Sequence, residues 1–276
     1  MSASRFRSTF LAVLLVALVP ATGYAQPAQK PFEPYSGQPG KDVVWVPTSQ
    51  ALVDKMLDAA KLTPNDIHMD LGSGDGRTVI TAAKRGAHST GIEYNPDMVE
   101  LSKQNAAKAG VTDKATFIKA DLFETDFSRA TVITLFLLPD INLKLRPKIL
   151  DLKPGTRIVS NTFTMGEWKD DETVTVDEAA GCSYYCTAHL WIVPAKVAGN
   201  WHSEQGDLAL RQEFQMIQGS MKSGSESHAI SNAKLRADQI SFNAGNASYS
   251  GRVNGNTIEG TVTSGGKSTK WTATRK

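Results

Sequence analysis

Cysteine is scarce in this chain of 276 residues: there are two, Cys182 and Cys186. They leave room for one disulfide or for two buried thiols, and both readings stay open. Along a straight strand the pair would lie ~13 Å apart, too far to bond, so a bridge requires a bend or a helical turn between them. With His189 they fall short of a metal site, because a fourth ligand and a second knuckle are missing, and no metal is expected. An excess of charge of one sign is equally slight. The formal net charge is +2 with no long basic run or basic helix, which argues against nucleic acid as the partner. Two phosphate-binding patterns are absent. The glycine turn at 72–76 does not run on into the Gly-Lys-Ser/Thr of a P-loop, and a dinucleotide fingerprint would need glycine where Arg77 stands.

Apolar runs that could cross a bilayer comfortably are also lacking. The unbroken run over 10–19 has ten residues, against the ~20 of a spanning helix. It follows Arg5 and Arg7 and precedes Pro20, Gly23 and Ala25, the order of a charged region, a short apolar core and a small-residue cleavage site. Residues 1–25 are therefore expected to be a signal peptide cleaved after Ala25, with export to the periplasm or beyond. A signal anchor and a mitochondrial presequence are the alternatives, and membrane association is expected only through this segment, left uncleaved. Without Arg5 and Arg7 the net charge falls near zero. Residues 26–44 read as a linker, since 26–40 alone holds four prolines and two glycines.

What remains is long enough for two unequal domains, and 41 % hydrophobic residues suffice for their cores. Residues 45–194 alternate as an α/β unit. A helix is expected over 50–60, capped by Thr48 or Ser49, with Leu52, Val53, Met56, Leu57 and Ala60 on one face. Strands follow at 67–71, 89–92, 115–119, 131–137 and 157–162, with helices at 78–85, 97–109 and 141–150 between them. Two further strands, near 173–176 and 187–193, complete a Rossmann-like seven-stranded sheet. From 195 to 276 helical periodicity gives way to short alternating runs, and Asn254-Gly255 signals a two-residue hairpin. This is expected to be a small antiparallel β module, a meander or barrel, with a binding or packing role.

The first strand ends in His68-Met69-Asp70-Leu71-Gly72-Ser73-Gly74-Asp75-Gly76-Arg77. Glycines at alternate positions let a ligand approach the main chain, while Asp70 and Asp75 make the turn suit a cation better than a phosphate. Glu93 ends the second strand about twenty residues beyond the turn, where an acid bonds a ribose diol, and Asp121 ends the third, where it can accept from an adenine amine. The spacing resembles motif I of class I S-adenosylmethionine (SAM) methyltransferases, whose cofactor carries a sulfonium and an ammonium.

A narrower resemblance covers about 45–168. It rests on Trp45-Val46-Pro47-Thr48, the glycine stretch, Gly91-Ile92-Glu93, Ala120-Asp121-Leu122-Phe123 and Leu135-Phe136-Leu137-Leu138-Pro139. These are similar to bacterial relatives of the mitochondrial protein-lysine methyltransferases that modify the c-ring protein of ATP synthase and the adenine nucleotide translocase. The resemblance implies that Asp70, Gly72, Ser73, Gly74, Asp75 and Gly76 frame the methionine end of SAM. It further implies that Glu93 holds the ribose, that Asp121 faces the adenine, and that Val46, Pro47 and Thr48 close over the cofactor. The Asn/Asp-Pro-Pro-Tyr/Phe motif of adenine methyltransferases is absent at 136–139, which argues against base methylation. The leading expectation is methyl transfer from SAM to a protein lysine, with no catalytic base assigned. A small-molecule methyltransferase is the rival, and an exported SAM-fold protein that binds without turnover is the third reading, because SAM is made in the cytoplasm. Amino-terminal sequencing of the protein from an exported fraction should read from Gln26; a chain that still begins at Met1 there would contradict cleavage.

Overall fold

Residues 32–276 are described by a computed structural model, and the expected signal peptide at 1–25 lies outside them. Serine at 49 starts the first helix: its hydroxyl accepts the Leu52 N–H at 3.3 Å and caps α1, Gln50–Ala59. This helix buries Leu52 and Met56 against the sheet, and Val53 and Leu57 against Ala82 of the next helix. The alternation then runs β1 (Ile67–Leu71), α2 (Arg77–Lys84), β2 (His88–Glu93), α3 (Pro96–Ala109), β3 (Ala115–Lys119), β4 (Val132–Leu135), α4 (Pro139–Leu150) and β5 (Arg157–Asn161). Two more strands, β6 (Glu172–Thr175) and β7 (Thr187–Ile192), finish the sheet.

The strand order is β3-β2-β1-β4-β5-β7-β6. The first five strands are parallel, and β7 lies antiparallel between β5 and β6. Strand order therefore reverses between β1 and β4, where doubly wound sheets open a crevice at the carboxyl ends of their strands. The central strands are buried on both faces, which leaves β4 apolar but for Thr134 and encloses His68 and Asp70 of β1. The expected seven-stranded α/β sheet is the one found. Most boundaries fall within one residue of expectation, and two move by two residues for local reasons. Pro139 opens α4 instead of closing the preceding strand, because its fixed φ and missing N–H suit the first helical position. The strand expected to 137 stops at Leu135, which frees Phe136 and Leu137 from the sheet.

The second layer of organisation is an eight-stranded closed barrel in the order β10-β11-β12-β13-β14-β15-β8-β9. Its strands are β8 (Gly199–Ser203), β9 (Gly206–Glu213), β10 (Met216–Ser223), β11 (Glu226–Arg236), β12 (Gln239–Ala244), β13 (Ala247–Asn254), β14 (Thr257–Ser264) and β15 (Lys267–Arg275). Each strand pairs with its neighbour in sequence, and β15 returns to β8, so no edge is left unpaired. The hairpin at 255–256 sits one residue beyond the Asn-Gly signal, with Gly255 at φ 57°. Alternate residues point inward and fill the interior with Trp201, Phe242, Tyr249, Ile258 and Trp271. The barrel meets the α/β unit through Phe214, whose ring stacks on Trp168 at 5.9 Å, and through a Gln215 Nε2 to Lys169 carbonyl bond of 2.8 Å. Among the described residues no helix is long and apolar enough to cross a membrane.

The barrel core should depend on Phe242, which stacks on Tyr249 at 4.9 Å and meets Trp271 edge-on at 5.8 Å. Phe242→Ala is expected to cost ~3–5 kcal/mol in urea unfolding; a loss below ~1 kcal/mol would show that this interior is not packed as described.

Candidate functional site

The crevice at the strand switch is organised by the glycine turn after β1. Gly72 and Gly74 have φ of 80° and 54°, and Gly76 caps α2 at 82°, backbone angles that side chains disfavour. The Gly72 and Ser73 N–H groups both donate to the Ile92 carbonyl, at 2.8 and 3.0 Å, which ties the turn to the end of β2. Space is as limiting as angle. A Cβ at Gly74 would lie 2.4 Å from Nε1 of Trp45, and one at Gly91 would lie 2.5 Å from Oγ of Ser73. That hydroxyl is buried in the wall of the crevice with no hydrogen-bond partner among the described residues.

Asp70 is the buried charge of the site. Its Oδ1 accepts the Thr134 hydroxyl at 2.6 Å from the neighbouring β4. Burial raises its pKa to about 7, and the nearby carboxylates of Glu93 and Asp75 push the same way, against hydrogen bonds from Thr134 and Thr78. Behind it Nε2 of His68 lies 2.9 Å from the Thr134 hydroxyl, and Nδ1 lies 2.6 Å from Ser89 Oγ. Since Thr134 spends its proton on Asp70, His68 donates through Nε2 and accepts from Ser89 through Nδ1. Burial lowers the His68 pKa to about 3, so the ring is neutral. A neutral, fully bonded chain thus backs a carboxylate that faces the crevice, a setting that favours a cationic ligand.

The other acids differ in availability. Glu93 accepts the Gly74 N–H at 3.0 Å and the Asn95 N–H at 2.9 Å, so backbone amides aim it. Asp75 is engaged by the Arg77 guanidinium at 2.6–3.2 Å, and Arg77 also donates to the Thr48 carbonyl at 2.6 Å. Asp75 is therefore paired, and through Arg77 it joins the turn to residues 46–48. Asp121 accepts the Phe123 N–H through Oδ1 and the Lys41 ammonium through Oδ2, and the Lys41 bond holds its pKa below the ordinary value.

Of the expected linker 26–44, residues 38–44 border this crevice. Gly37 donates to the Trp45 carbonyl at 2.8 Å, Trp45 donates to the Gln38 carbonyl at 2.9 Å, and Gln38 is buried. Lys41 lies over the Tyr94 ring at 4.8 Å as well as against Asp121. All the expected residues Val46, Pro47, Thr48, Asp70, Gly72, Ser73, Gly74, Asp75, Glu93 and Asp121 border the crevice. Gly76 does not: a Cβ there would meet the Phe117 ring at 2.7 Å, so its small size serves the packing of the turn on β3 and α3. Sequence reasoning missed Gln38, Lys41, Tyr94 and Thr134. Thr134 alone left a signal, as a polar residue inside an otherwise apolar run.

A family model described as the ANTKMT methyltransferase domain matches residues 70–172 and so ends before the barrel. A protein-lysine N-methyltransferase of Saccharolobus islandicus is 43 % identical over 154 residues, which cover 55 % of this chain and 94 % of that protein. The adenine nucleotide translocase lysine N-methyltransferase of Mus musculus is 31 % identical over 129 residues, 46 % of this chain and 56 % of the mouse protein, so the chain spans little more than half of that relative. A crystal structure from Salinibacter ruber, described as an RNA methyltransferase in complex with S-adenosyl-L-homocysteine, is 46 % identical with a TM-score of 0.51, over 55 % of this chain and 96 % of that one.

Carbon-detected NMR of the Asp70 carboxyl should give a midpoint of about 7, and Thr134→Val should move it higher, because the lost hydroxyl stabilises the ionised form. A midpoint in the ordinary carboxylate range in both proteins would contradict this reading of the site.

Proposed function

Since the chain belongs to the family of ANTKMT-type SAM-dependent methyltransferases, we propose that its acceptor is a lysine side chain of another protein. The observation that supports the acceptor most is the archaeal lysine methyltransferase, matched along 94 % of its length. On the cofactor side the support is Asp70, a buried carboxylate beside bare glycine backbone at the switch of a parallel sheet. The bound cofactor supplies an electrophilic methyl group on a positively charged sulfur.

The chain's own residues then have simple tasks. Asp70, Gly72, Ser73 and Gly74 would hold the amino-acid end, with Asp70 ionising against its ammonium. Glu93 would take the ribose hydroxyls. Asp121 would face the adenine, with Lys41 yielding or sharing the carboxylate. Val46, Pro47 and Thr48 would cover the cofactor, fixed by the Arg77 bond to the Thr48 carbonyl. The lysine must arrive neutral, in line and close, and a dry crevice favours the uncharged amine. Positioning of this kind can carry most of the acceleration, and no side chain is assigned as a general base.

Export of the chain belongs to the same proposal. The arginines and apolar run over 1–25 support it, and the disulfide between Cys182 and Cys186 suits an oxidising compartment. A second reading, an RNA acceptor, draws on the description of the Salinibacter structure alone.

Calorimetry with SAM should register binding, and Asp70→Asn or Gly74→Val should weaken it by roughly tenfold or more, the size of a lost charge-assisted bond. With tritiated-methyl SAM and an extract, label should enter protein as methyl-lysine. Label in RNA or only in small molecules would refute the lysine acceptor, and an absence of binding at millimolar SAM would refute the cofactor site.

A further inference from the structure

A second recess adjoins the cofactor crevice and shares with it Gly40, Lys41, Val46, Phe136 and Leu137. Its far wall is aromatic. Phe136 and Tyr185 meet edge to face at 5.2 Å, Phe136 and Phe163 stack at 6.1 Å, and Phe163 lies 6.4 Å from Tyr185. These rings come from separate places: the freed end of β4, the turn after β5, and the loop before β7. Asp42 lines both recesses, and its carboxylate lies 3.8 Å from the Lys41 ammonium, so the charge there is paired. Aromatic faces continuous with the site of methyl donation suit the apolar alkyl stem of an amine that arrives uncharged.

The loop that carries Tyr185 is built to hold it. Cys182 and Cys186 are joined by a disulfide with Cα atoms 5.7 Å apart. The bend this needs comes from Gly181 and Tyr185, at φ of 85° and 57°. Cys182 is buried under α1 and the sheet, and the Cys186 carbonyl accepts the Val176 N–H at 2.9 Å. Within the loop Tyr184 points to solvent, 83 % exposed, while Tyr185 turns onto Phe136. The loop lies beyond residues 70–172, the span that the family model matches.

We propose that Phe136, Phe163 and Tyr185 form the acceptor subsite, which takes the aminoalkyl chain of the lysine, and that the Cys182–Cys186 disulfide positions Tyr185 there. The proposal rests on the lysine-methyltransferase reading above and adds the residues that select the acceptor.

The test separates acceptor from cofactor binding. The probe is an adenosylhomocysteine analogue whose sulfur is replaced by nitrogen bearing a lysine-length aminoalkyl chain, compared with S-adenosylhomocysteine on the full chain. Wild type should bind the probe about tenfold more tightly. Tyr185→Ala should reduce that gain to about twofold or less, Tyr185→Phe should keep it, and reduction or the Cys182→Ser/Cys186→Ser pair should lower it. Adenosylhomocysteine affinity should stay within about twofold in each. Phe163→Ala gives the same comparison through a separate side chain. A full gain in both alanine variants would overturn the proposal, as would a wild type that binds adenosylhomocysteine but gains nothing from the added chain; in both cases the cofactor reading stands. A wild type that binds neither compound would overturn that reading and the proposal with it.

Discussion

A carboxylate buried in the middle of a sheet is unfavourable unless its surroundings stabilise it, and Asp70 sets that requirement here. The chain meets it by placing β4 beside β1, so that Thr134 donates to the carboxylate, with His68 and Ser89 completing the chain of bonds behind it. The compensation is incomplete, since burial still lifts the acid to about 7. That residual deficit is what a cationic ligand would remove. In this sense the crevice is organised around an unfinished interaction.

The surrounding devices follow from keeping that position accessible while the rest stays packed. Glycines bring the backbone of the turn near the ligand path, and Trp45 packs so closely on Gly74 that no side chain fits. Arg77 spans from Asp75 to the Thr48 carbonyl and so holds the covering segment to the turn. Lys41 holds its other end, against Asp121 and Tyr94. On the acceptor side the disulfide loop contributes a ring that the sheet alone does not supply. The barrel completes its own core and touches the α/β unit away from these residues, through Phe214 and Trp168.

Much of the fold was legible because its signals are local. Strands β1 and β3 carry the expected limits, set by apolar runs between glycine, proline and polar breaks, and Gly110 stops α3 as expected, in the left-handed conformation. Asp70, Glu93 and Asp121 were legible for the same reason, as each lies at or just beyond the end of a strand. What stayed hidden depends on contacts between distant positions. Lys41 meets Asp121 across 80 residues and Thr134 meets Asp70 across 64, and neither pair leaves a spacing to read. Asp75 looked like a free acid because its partner Arg77 was read only as a missing glycine. The cysteine pair could not be decided from spacing, since the left-handed Tyr185 that closes the loop is not a residue type that announces a turn.

The central claim is that Asp70 ionises when the cofactor binds, and proton release measures this most directly. SAM titrated calorimetrically at about pH 7, in buffers that differ in ionisation heat, should release about half a proton more from wild type than from Asp70→Asn, because a group with a pKa near that pH is half protonated before it binds. Equal release by the two proteins would contradict the account.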